Sequence, residues 1–274
     1  MIGFSPITAA RRVAERALDA VARVLPHQPL LPPLSLRRMV GEPGWQLRGE
    51  DFFFMGCHLA EKLQRDAGLC ASSQVLDLGS GCGRLAVPLT RILAAGGSYV
   101  GIEVSAVAVA WCRQAISAAY PNFEFLHSDI HNSLYNPRGT IAPGKFVFPV
   151  NTGSFDVVIA SSIFTHLLPA ALANYFAQCA RALRPRGRLF ATFFLQESGL
   201  TTPTGDINFA FQFGDAVRVA DLRRPEAAIS YSAEWLTDLA ARSSLRFVPP
   251  ARLGSWTGRP MDYTWQDVML FEKI

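Results

Sequence analysis

The sequence predicts an α/β fold with a mostly parallel sheet and helices on both faces. Three observations carry this prediction. An apolar strand runs into a glycine-rich turn over Val75–Ala86, strand-like and helix-like runs then alternate as far as Leu195, and two more strand-like runs lie near the C-terminus. Strands that alternate with helices are typical of parallel sheets, because each helix returns the chain to the starting edge of the sheet.

The glycine-rich turn is the most informative segment. Asp77 stands at the strand tip, and three glycines follow at alternate positions in Gly79–Gly83. Glycine has no Cβ, so a ligand can approach the backbone closely, and the helix predicted from Arg84 adds unpaired N–H groups. The run from Gly81 to Ala86 also fits the dinucleotide pattern G-x-G-x-x-G/A, which is weak alone. A carboxylate at Asp77 would repel a pyrophosphate, but it suits a ligand with an ammonium and a sulfonium group.

The elements after the turn continue the alternation, and acids stand near the ends of two further strands. Glu103 lies in the second strand, Ser98–Ser105, and Asp129 lies in the third, Phe123–Ile130. A carboxylate can accept two hydrogen bonds at once. Helices, further strands and a C-terminal strand pair complete the predicted order: helix Ala106–Ala119, strand Ser154–Ser162, helix Ala170–Leu183, strand Arg188–Leu195, helix Ala233–Ala241, strand Leu245–Arg252 and strand Gln266–Glu272.

The D-x-G-x-G-x-G turn and the five elements over Gln74–Leu195 resemble the class I S-adenosylmethionine-dependent methyltransferases. This resemblance implies a Rossmann-like, seven-stranded, mostly parallel sheet with an antiparallel last strand, plus an N-terminal helix and inserted lid segments. The ending Gly254–Trp256 with Tyr263–Val268 looks like a bacterial subgroup whose substrates are mostly undefined. The implied cofactor is S-adenosyl-L-methionine, which leaves as S-adenosyl-L-homocysteine.

The resemblance also implies roles for individual residues in cofactor binding. Glu103 would accept both ribose hydroxyls, Val104 would flank the adenine, Asp129 would accept the adenine amino group and Ile130 would pack on the ring. The predicted cofactor-binding residues are Asp77, Gly79, Ser80, Gly81, Cys82, Gly83, Glu103, Val104, Asp129, Ile130 and Ser161.

Two histidines are candidate general bases for removing a proton from the acceptor. His166 follows the fourth strand, where members of this family often place acceptor-facing groups, and His131 is the alternate base at the mouth of the site. Imidazole titrates near neutrality, which suits this role. A first-turn His166 that simply pairs with backbone is an equal alternative. The spacing His127-x-Asp129-x-His131 could hold a metal, but no metal is predicted, because adenine already requires Asp129.

The chain divides into two predicted parts. Residues 1–45 form a basic amphipathic helix with a proline-rich linker, and residues 46–274 form the methyltransferase domain, with acceptor-site insertions at about 131–153 and 196–231. The helix could be a targeting or membrane-surface segment, but packing on its own domain, a second copy or a partner is favoured. Aromatic residues in Gly41–Leu59 and in the predicted strand Ile207–Phe213 favour an acceptor with an apolar part, or simply pack the lid.

Composition limits the other function classes. The net charge is only +4 over 274 residues, so nucleic acid is an unlikely partner. The five cysteines lack C-x-x-C spacing and indicate reduced thiols in a cytoplasmic protein, with Cys82 as a small buried filler. No apolar run is long enough for a transmembrane segment.

The favoured function is therefore methyl transfer to oxygen or nitrogen of a small-molecule acceptor. A peptide, protein or lipid-linked acceptor is the alternative. A nicotinamide-dependent oxidoreductase and a non-catalytic S-adenosylmethionine-binding subunit are less favoured. The Asn/Asp-Pro-Pro-Tyr motif of many nucleobase methyltransferases is absent after the fourth strand, where the chain reads Ala160–Ile163.

Overall fold

The computed structural model describes residues 30–38, 40, 49–133, 135–196, 207–260 and 263–274. The predicted N-terminal helix, with its suggested partner contact, falls on residues outside these ranges. Six α-helices are assigned within the described ranges: α1 Leu34–Arg37, α2 Gly49–Asp66, α3 Ala86–Leu89, α4 Ala106–Cys112, α5 Pro169–Ala182 and α6 Ala233–Arg242. A π-helical turn, Arg113–Ser117, directly extends α4.

The described part of the chain contains ten strands. They are β1 Gln74–Leu78, β2 Ser98–Glu103, β3 Phe123–His127, β4 Phe155–Ala160, β5 Leu183–Gln196, β6 Phe211–Gln212, β7 Val217–Val219, β8 Ile229–Ser232, β9 Leu245–Arg252 and β10 Asp267–Lys273. Strands β3, β2, β1, β4 and β5 lie side by side and parallel, and β10 inserts antiparallel between β5 and β9. These seven strands are the predicted sheet.

Three strands exceed the prediction, and all come from the insertion after β5. The last residues of β5 pair in parallel with β8, and β8, β7 and β6 continue as an antiparallel meander. The predicted strand Ile207–Phe213 is wrong in length, since only Phe211–Gln212 pairs with β7. Phe209 instead turns into an aromatic cluster, 5.2 Å from the Phe194 ring centroid.

Helices cover both faces of the sheet, as predicted. On one face, α5 and α6 bury residues such as Phe176 and Leu236 against β4 and β5. On the other face, α2, α3 and α4 bury residues such as Leu63 and Val109 against β1 and β2. Within the described ranges, no helix is both long enough and apolar enough to cross a bilayer.

The helix predicted to begin at Arg84 begins two residues later, at Ala86. It comprises only Ala86–Leu89, and the chain continues in turns to Leu93. Pro88 lacks the N–H that a regular helix would direct to the carbonyl of Arg84, so that the first turn is incomplete. The loop before α3 therefore has no long helix behind it, and its geometry depends on contacts with neighbouring strands.

Candidate cofactor site

The glycine turn after β1 requires glycine at each of its three alternate positions. Gly79, Gly81 and Gly83 have φ of +70°, +54° and +82°, a region that residues with a Cβ rarely adopt. Space is limited as well: a Cβ on Gly79 would lie 2.1 Å from Cδ1 of Ile163. The turn is thus pressed against the segment that follows β4. The N–H of Gly79 also donates to the carbonyl of Ile102 at 2.8 Å.

Asp77 lies under this turn and is 4% exposed. The hydroxyl of Tyr99 donates to Asp77 Oδ2 at 2.6 Å. The pKa of Asp77 is raised to about 7, mainly by burial and also by the negative charge of Glu103, against the lowering effects of the Tyr99 hydrogen bond and the charge of Arg84. A cationic ligand group would stabilise the ionised form of Asp77, because a nearby positive charge offsets the free-energy cost of burying a carboxylate. Sequence reasoning missed Tyr99, which could have been found from its place on the strand beside β1.

Glu103 joins the glycine turn to α4. Its Oε2 accepts the N–H of Gly81 and its Oε1 accepts the N–H of Ser105, both at 2.8 Å. Burial raises the pKa of this carboxyl although both hydrogen bonds favour the ionised form. Each carboxylate oxygen can accept a further hydrogen bond. Val104, the next residue, is half-buried, and its carbonyl lies 3.1 Å from Nε2 of His127.

Ser80 and Cys82 occupy the turn between the glycines, and both are buried. Cys82 Sγ donates to the carbonyl of Leu36 at 3.6 Å, and burial raises the pKa of this thiol to about 12. A thiol in that state is protonated and unreactive at neutral pH, which fits the filler role. The Oγ of Ser80 is buried without a hydrogen-bond partner in the described part of the chain.

Asp129 holds the inserted segment that follows β3. Thr140 donates to its Oδ2 through both its backbone N–H at 3.1 Å and its hydroxyl at 2.7 Å, and Asn136 donates to Oδ1 at 3.1 Å. These hydrogen bonds, those of Thr140 first, lower the pKa of Asp129. Its neighbour Ile130 is buried and bridges to Ile141. An open cavity of about 490 Å³ borders Asp129, with Ile141 and Phe146 on its wall. Asp129 therefore already has partners of its own.

The two candidate bases stand in different surroundings. His131 is exposed, and its backbone N–H donates to Ile141. His166 is half-buried in the turn Phe164–His166, and burial lowers the pKa of its imidazole. Its Nδ1 lies 2.9 Å from the carbonyl of Glu226. A carbonyl only accepts, so Nδ1 carries the hydrogen and Nε2 carries the lone pair. Backbone pairing and availability as a base are thus compatible.

The segment after β4 brings Ser161 to the same edge of the sheet, followed by Ser162 with φ of +59°. The N–H of Ser162 donates to Oγ1 of Thr192 at 2.7 Å, and its hydroxyl bonds Gln266 Oε1 at 2.9 Å. Sequence reasoning gave neither Thr192 nor Gln266 a role in the site, because their contact joins segments that are far apart in the chain.

Aromatic side chains gather beside this edge and pack mainly on one another. The ring centroids of Phe194 lie 5.2 Å from Trp256 and 5.4 Å from Trp265, with edge-on geometry. Phe54 of α2 is exposed and stacks on His58. No group of three metal-ligating side chains is close enough to hold an ion in the described ranges, and Asp129 pairs with the inserted segment.

Comparison with known proteins identifies the central segment. Residues 75–187 match the family model described as "Methyltransferase domain". An arsenite methyltransferase of Aquipseudomonas alcaligenes is 25% identical over 137 residues, which are 50% of this chain and 36% of that protein. The match spans only about a third of the length of that curated relative.

Solved structures agree on the fold. A SAM-dependent methyltransferase of Methanosarcina mazei aligns with a TM-score of 0.53 at 16% identity, over 77% of this chain and 97% of that one. The glycopeptide N-methyltransferase MtfA, solved with S-adenosyl-L-methionine, aligns with a TM-score of 0.52 at 16% identity, over 80% and 94%. The Rossmann-like fold expected from the sequence is confirmed, and residues 75–187 match the methyltransferase-domain model, as the predicted family requires. The bacterial subgroup and the individual site residues stay predictions.

Proposed function

We propose that this protein transfers a methyl group from S-adenosyl-L-methionine to an oxygen or nitrogen atom of a small-molecule acceptor with an apolar part, since residues 75–187 match the methyltransferase-domain model and the chain has the Rossmann-like fold. The observation that carries the proposal is the convergence of the glycine turn, Asp77 and Glu103 at one edge of the parallel sheet. Of the two buried acids, Glu103 suits the hydroxyl groups of an uncharged ribose, and Asp77 suits the positively charged amino acid part of the cofactor.

Each side chain at this edge has a role under the proposal. The glycines let the cofactor approach the backbone, Glu103 accepts the ribose hydroxyls with its remaining lone pairs, and Asp77 attracts the ammonium group. Ile130 offers an apolar surface for the adenine ring. Asp129 can accept the adenine amino group only with the lone pairs that Thr140 and Asn136 leave free. When bound, S-adenosyl-L-methionine supplies an electrophilic methyl group on sulfur.

On the acceptor side, the chain must exclude water, align a lone pair and dispose of one proton. The aromatic cluster around Phe194 supports an acceptor with an apolar part. His166 supports proton removal, because its Nε2 carries a lone pair and its lowered pKa keeps the imidazole neutral at pH 7. His131 is the alternate base. It is exposed to solvent, so no neighbouring group among the described residues fixes the orientation of its imidazole in the way that the carbonyl of Glu226 does for His166. A peptide, protein or lipid-linked acceptor is the alternative.

Calorimetric titration with S-adenosyl-L-methionine, S-adenosyl-L-homocysteine and NADH tests the proposal. We expect the first two to bind and NADH not to bind. Glu103→Gln should weaken binding of both about tenfold or more, because an amide cannot accept the N–H groups of both Gly81 and Ser105. The matched control is Glu124→Gln, at an exposed position of β3, which should change nothing. Binding of NADH alone would overturn the proposal.

A further inference from the structure

Three polar side chains converge beside the proposed site, from the segment after β4, from within β5 and from the residue before β10. Thr192 Oγ1 accepts the N–H of Ser162 at 2.7 Å and lies 2.6 Å from Gln266 Oε1. Gln266 Oε1 is also 2.9 Å from the hydroxyl of Ser162. Thr192 is 3% exposed and Gln266 is 7% exposed. Chain segments far apart in sequence thus meet in one hydrogen-bond network, in which Thr192 and Gln266 are buried and Ser162 is exposed.

The network fixes which end of the Gln266 amide faces it. Thr192 Oγ1 already accepts from Ser162, so its own hydrogen is donated onward to Gln266. The amide must present its oxygen to receive that hydrogen, and the same oxygen takes the hydroxyl of Ser162. The Nε2 group of Gln266 then points away from the network. Among the described residues no hydrogen bond uses Nε2 of Gln266. Both N–H groups of this largely buried amide are therefore available to a ligand.

The segment that this amide contacts also contacts the glycine turn of the proposed cofactor site. Ser162 is followed by Ile163, whose side chain packs on Gly79 of the glycine turn. Ser162 itself is exposed and has φ of +59°, an unfavourable conformation for serine. Backbone strain of this kind persists only where its surroundings enforce it and often marks a functional site. Here the network with Thr192 and Gln266 enforces it.

An aromatic pair lies next to Gln266 and Thr192 in the sequence. Trp265 precedes Gln266 in the chain and lies edge-on to Phe194, with ring centroids 5.4 Å apart. Phe194 is two residues beyond Thr192 on β5 and therefore projects from the same face of the strand. Phe194 is 1% exposed and supports Trp265, which is half-buried, so Trp265 is the ring available to a ligand that pairs with the neighbouring Gln266 amide.

We propose that Gln266 binds the methyl acceptor, by donating a hydrogen bond from Nε2 to the hydroxyl oxygen of a phenolic ring. The inference rests on the proposed function and deepens it, since it names the chemical class of the acceptor. A neutral amide donor matches a neutral oxygen, whereas it offers nothing to the N–H groups of an ammonium ion. The site thereby favours an oxygen-bearing aromatic ring over a protonated amine.

The test uses phenol as the probe and the full chain saturated with S-adenosyl-L-homocysteine. Gln266→Glu keeps an acceptor oxygen for Thr192 and replaces the Nε2 donor with an oxygen. Phenol affinity should fall about tenfold in this variant at pH 8, while affinity for S-adenosyl-L-homocysteine and for toluene stays the same. The matched control is Gln178→Glu on α5, where the glutamine oxygen likewise accepts internal hydrogen bonds; it should leave phenol binding unchanged.

A second measurement protects the test against a folding defect in the variant. In the ¹⁵N-labelled wild-type protein, phenol should shift the side-chain amide signal of Gln266, and toluene should not. Failure of phenol to bind, equal phenol affinity in Gln266→Glu, or equal losses in both variants would overturn the inference. Absence of S-adenosyl-L-homocysteine binding by the wild-type chain would instead overturn the proposed function.

Discussion

At the scale of single residues, the site combines buried acids whose surroundings oppose their ionisation. Asp77 has one strong donor, Tyr99, and Glu103 has two backbone donors. Because burying a carboxylate is costly, both residues make the empty protein less stable than it could be. Their positions make physical sense if a ligand with a positive charge and hydroxyl groups relieves that cost.

Asp77→Asn should therefore stabilise the unliganded protein and weaken cofactor binding. The folded pKa of Asp77 is raised to about 7, so the folded state holds a proton that the unfolded state has released above pH 4. Between about pH 4 and 7 the wild-type chain progressively loses stability through this group, and the loss is complete above pH 7. The asparagine variant does not suffer this loss. Thermal unfolding should show a higher midpoint for Asp77→Asn at pH 8 and little difference at pH 4, and a lower midpoint at pH 8 would contradict the raised pKa.

The second prediction at this scale concerns the protonation of His166. Burial lowers the pKa of its imidazole below 6.5, and the carbonyl of Glu226 fixes the hydrogen on Nδ1. An NMR titration of the imidazole nitrogens should show the Nδ1–H tautomer at pH 7 and protonation only below pH 6.5. His131 serves as the exposed reference. An Nε2–H tautomer in His166 would remove its role as the general base.

At the scale of elements, the glycine turn and the segment after β4 must fit each other. A Cβ on Gly79 would lie 2.1 Å from Ile163, whereas nothing lies within 4 Å of one on Gly153, whose φ is also positive. Gly79→Ala should thus cost more stability than Gly153→Ala, roughly 1–3 kcal/mol more, through overpacking alone. Chemical denaturation of both variants measures the difference. Ile163→Ala should recover part of the loss in Gly79→Ala, and additive effects would show that the two residues do not press on each other.

Elements that a local pattern specifies were predictable from the sequence. The strands of the parallel sheet and the turn over residues 77–83 follow from apolar runs, glycine spacing and terminal acids. Two predicted boundaries were wrong because of a single residue. Pro88 prevents a regular first turn, so α3 begins at Ala86, and Phe209 packs on Phe194 instead of pairing in the predicted strand. The partners of Asp129 and the network of Gln266 depend on long-range contacts, which periodicity does not record. The N-terminal helix and the roles of individual site residues stay predictions.

At the scale of the whole molecule, distant parts of the chain meet around one lysine. Lys62 of α2 is 3% exposed, and its Nζ has no hydrogen-bond partner in the described ranges. It lies 5.0 Å from the ring centroid of Tyr263, whose hydroxyl donates to Asp66. Arg65 approaches the same ring, at 5.1 Å. The C-terminal segment before β10 is thereby attached to the end of α2.

Lys62 should make the global stability depend on pH in the alkaline range. Burial first, and the charge of Arg65 second, lower the pKa of Lys62 from 10.5 to about 8, against the opposing charges of Glu61 and Asp66. Between pH 8 and 10.5 the unfolded chain therefore binds more protons at this position than the folded chain does. Stability contributed by this group rises with pH in that window, and below pH 8 the cost of the buried charge is constant.

The comparison of Lys62→Met with the wild-type chain isolates this effect. Methionine keeps a long apolar side chain over Tyr263 without the charge, so the variant should exceed the wild type in free energy of unfolding at pH 7.5. This advantage should shrink at pH 9.5, because the wild-type lysine is then mostly neutral. Both pH values lie below the range in which the unfolded chain's tyrosines dominate the titration. Lys145→Met, at an exposed lysine, should give a difference that does not change between the two pH values. An equal change for both variants would mean that the amine of Lys62 is solvated in solution, and that the attachment of the C-terminal segment to α2 is looser than its burial indicates.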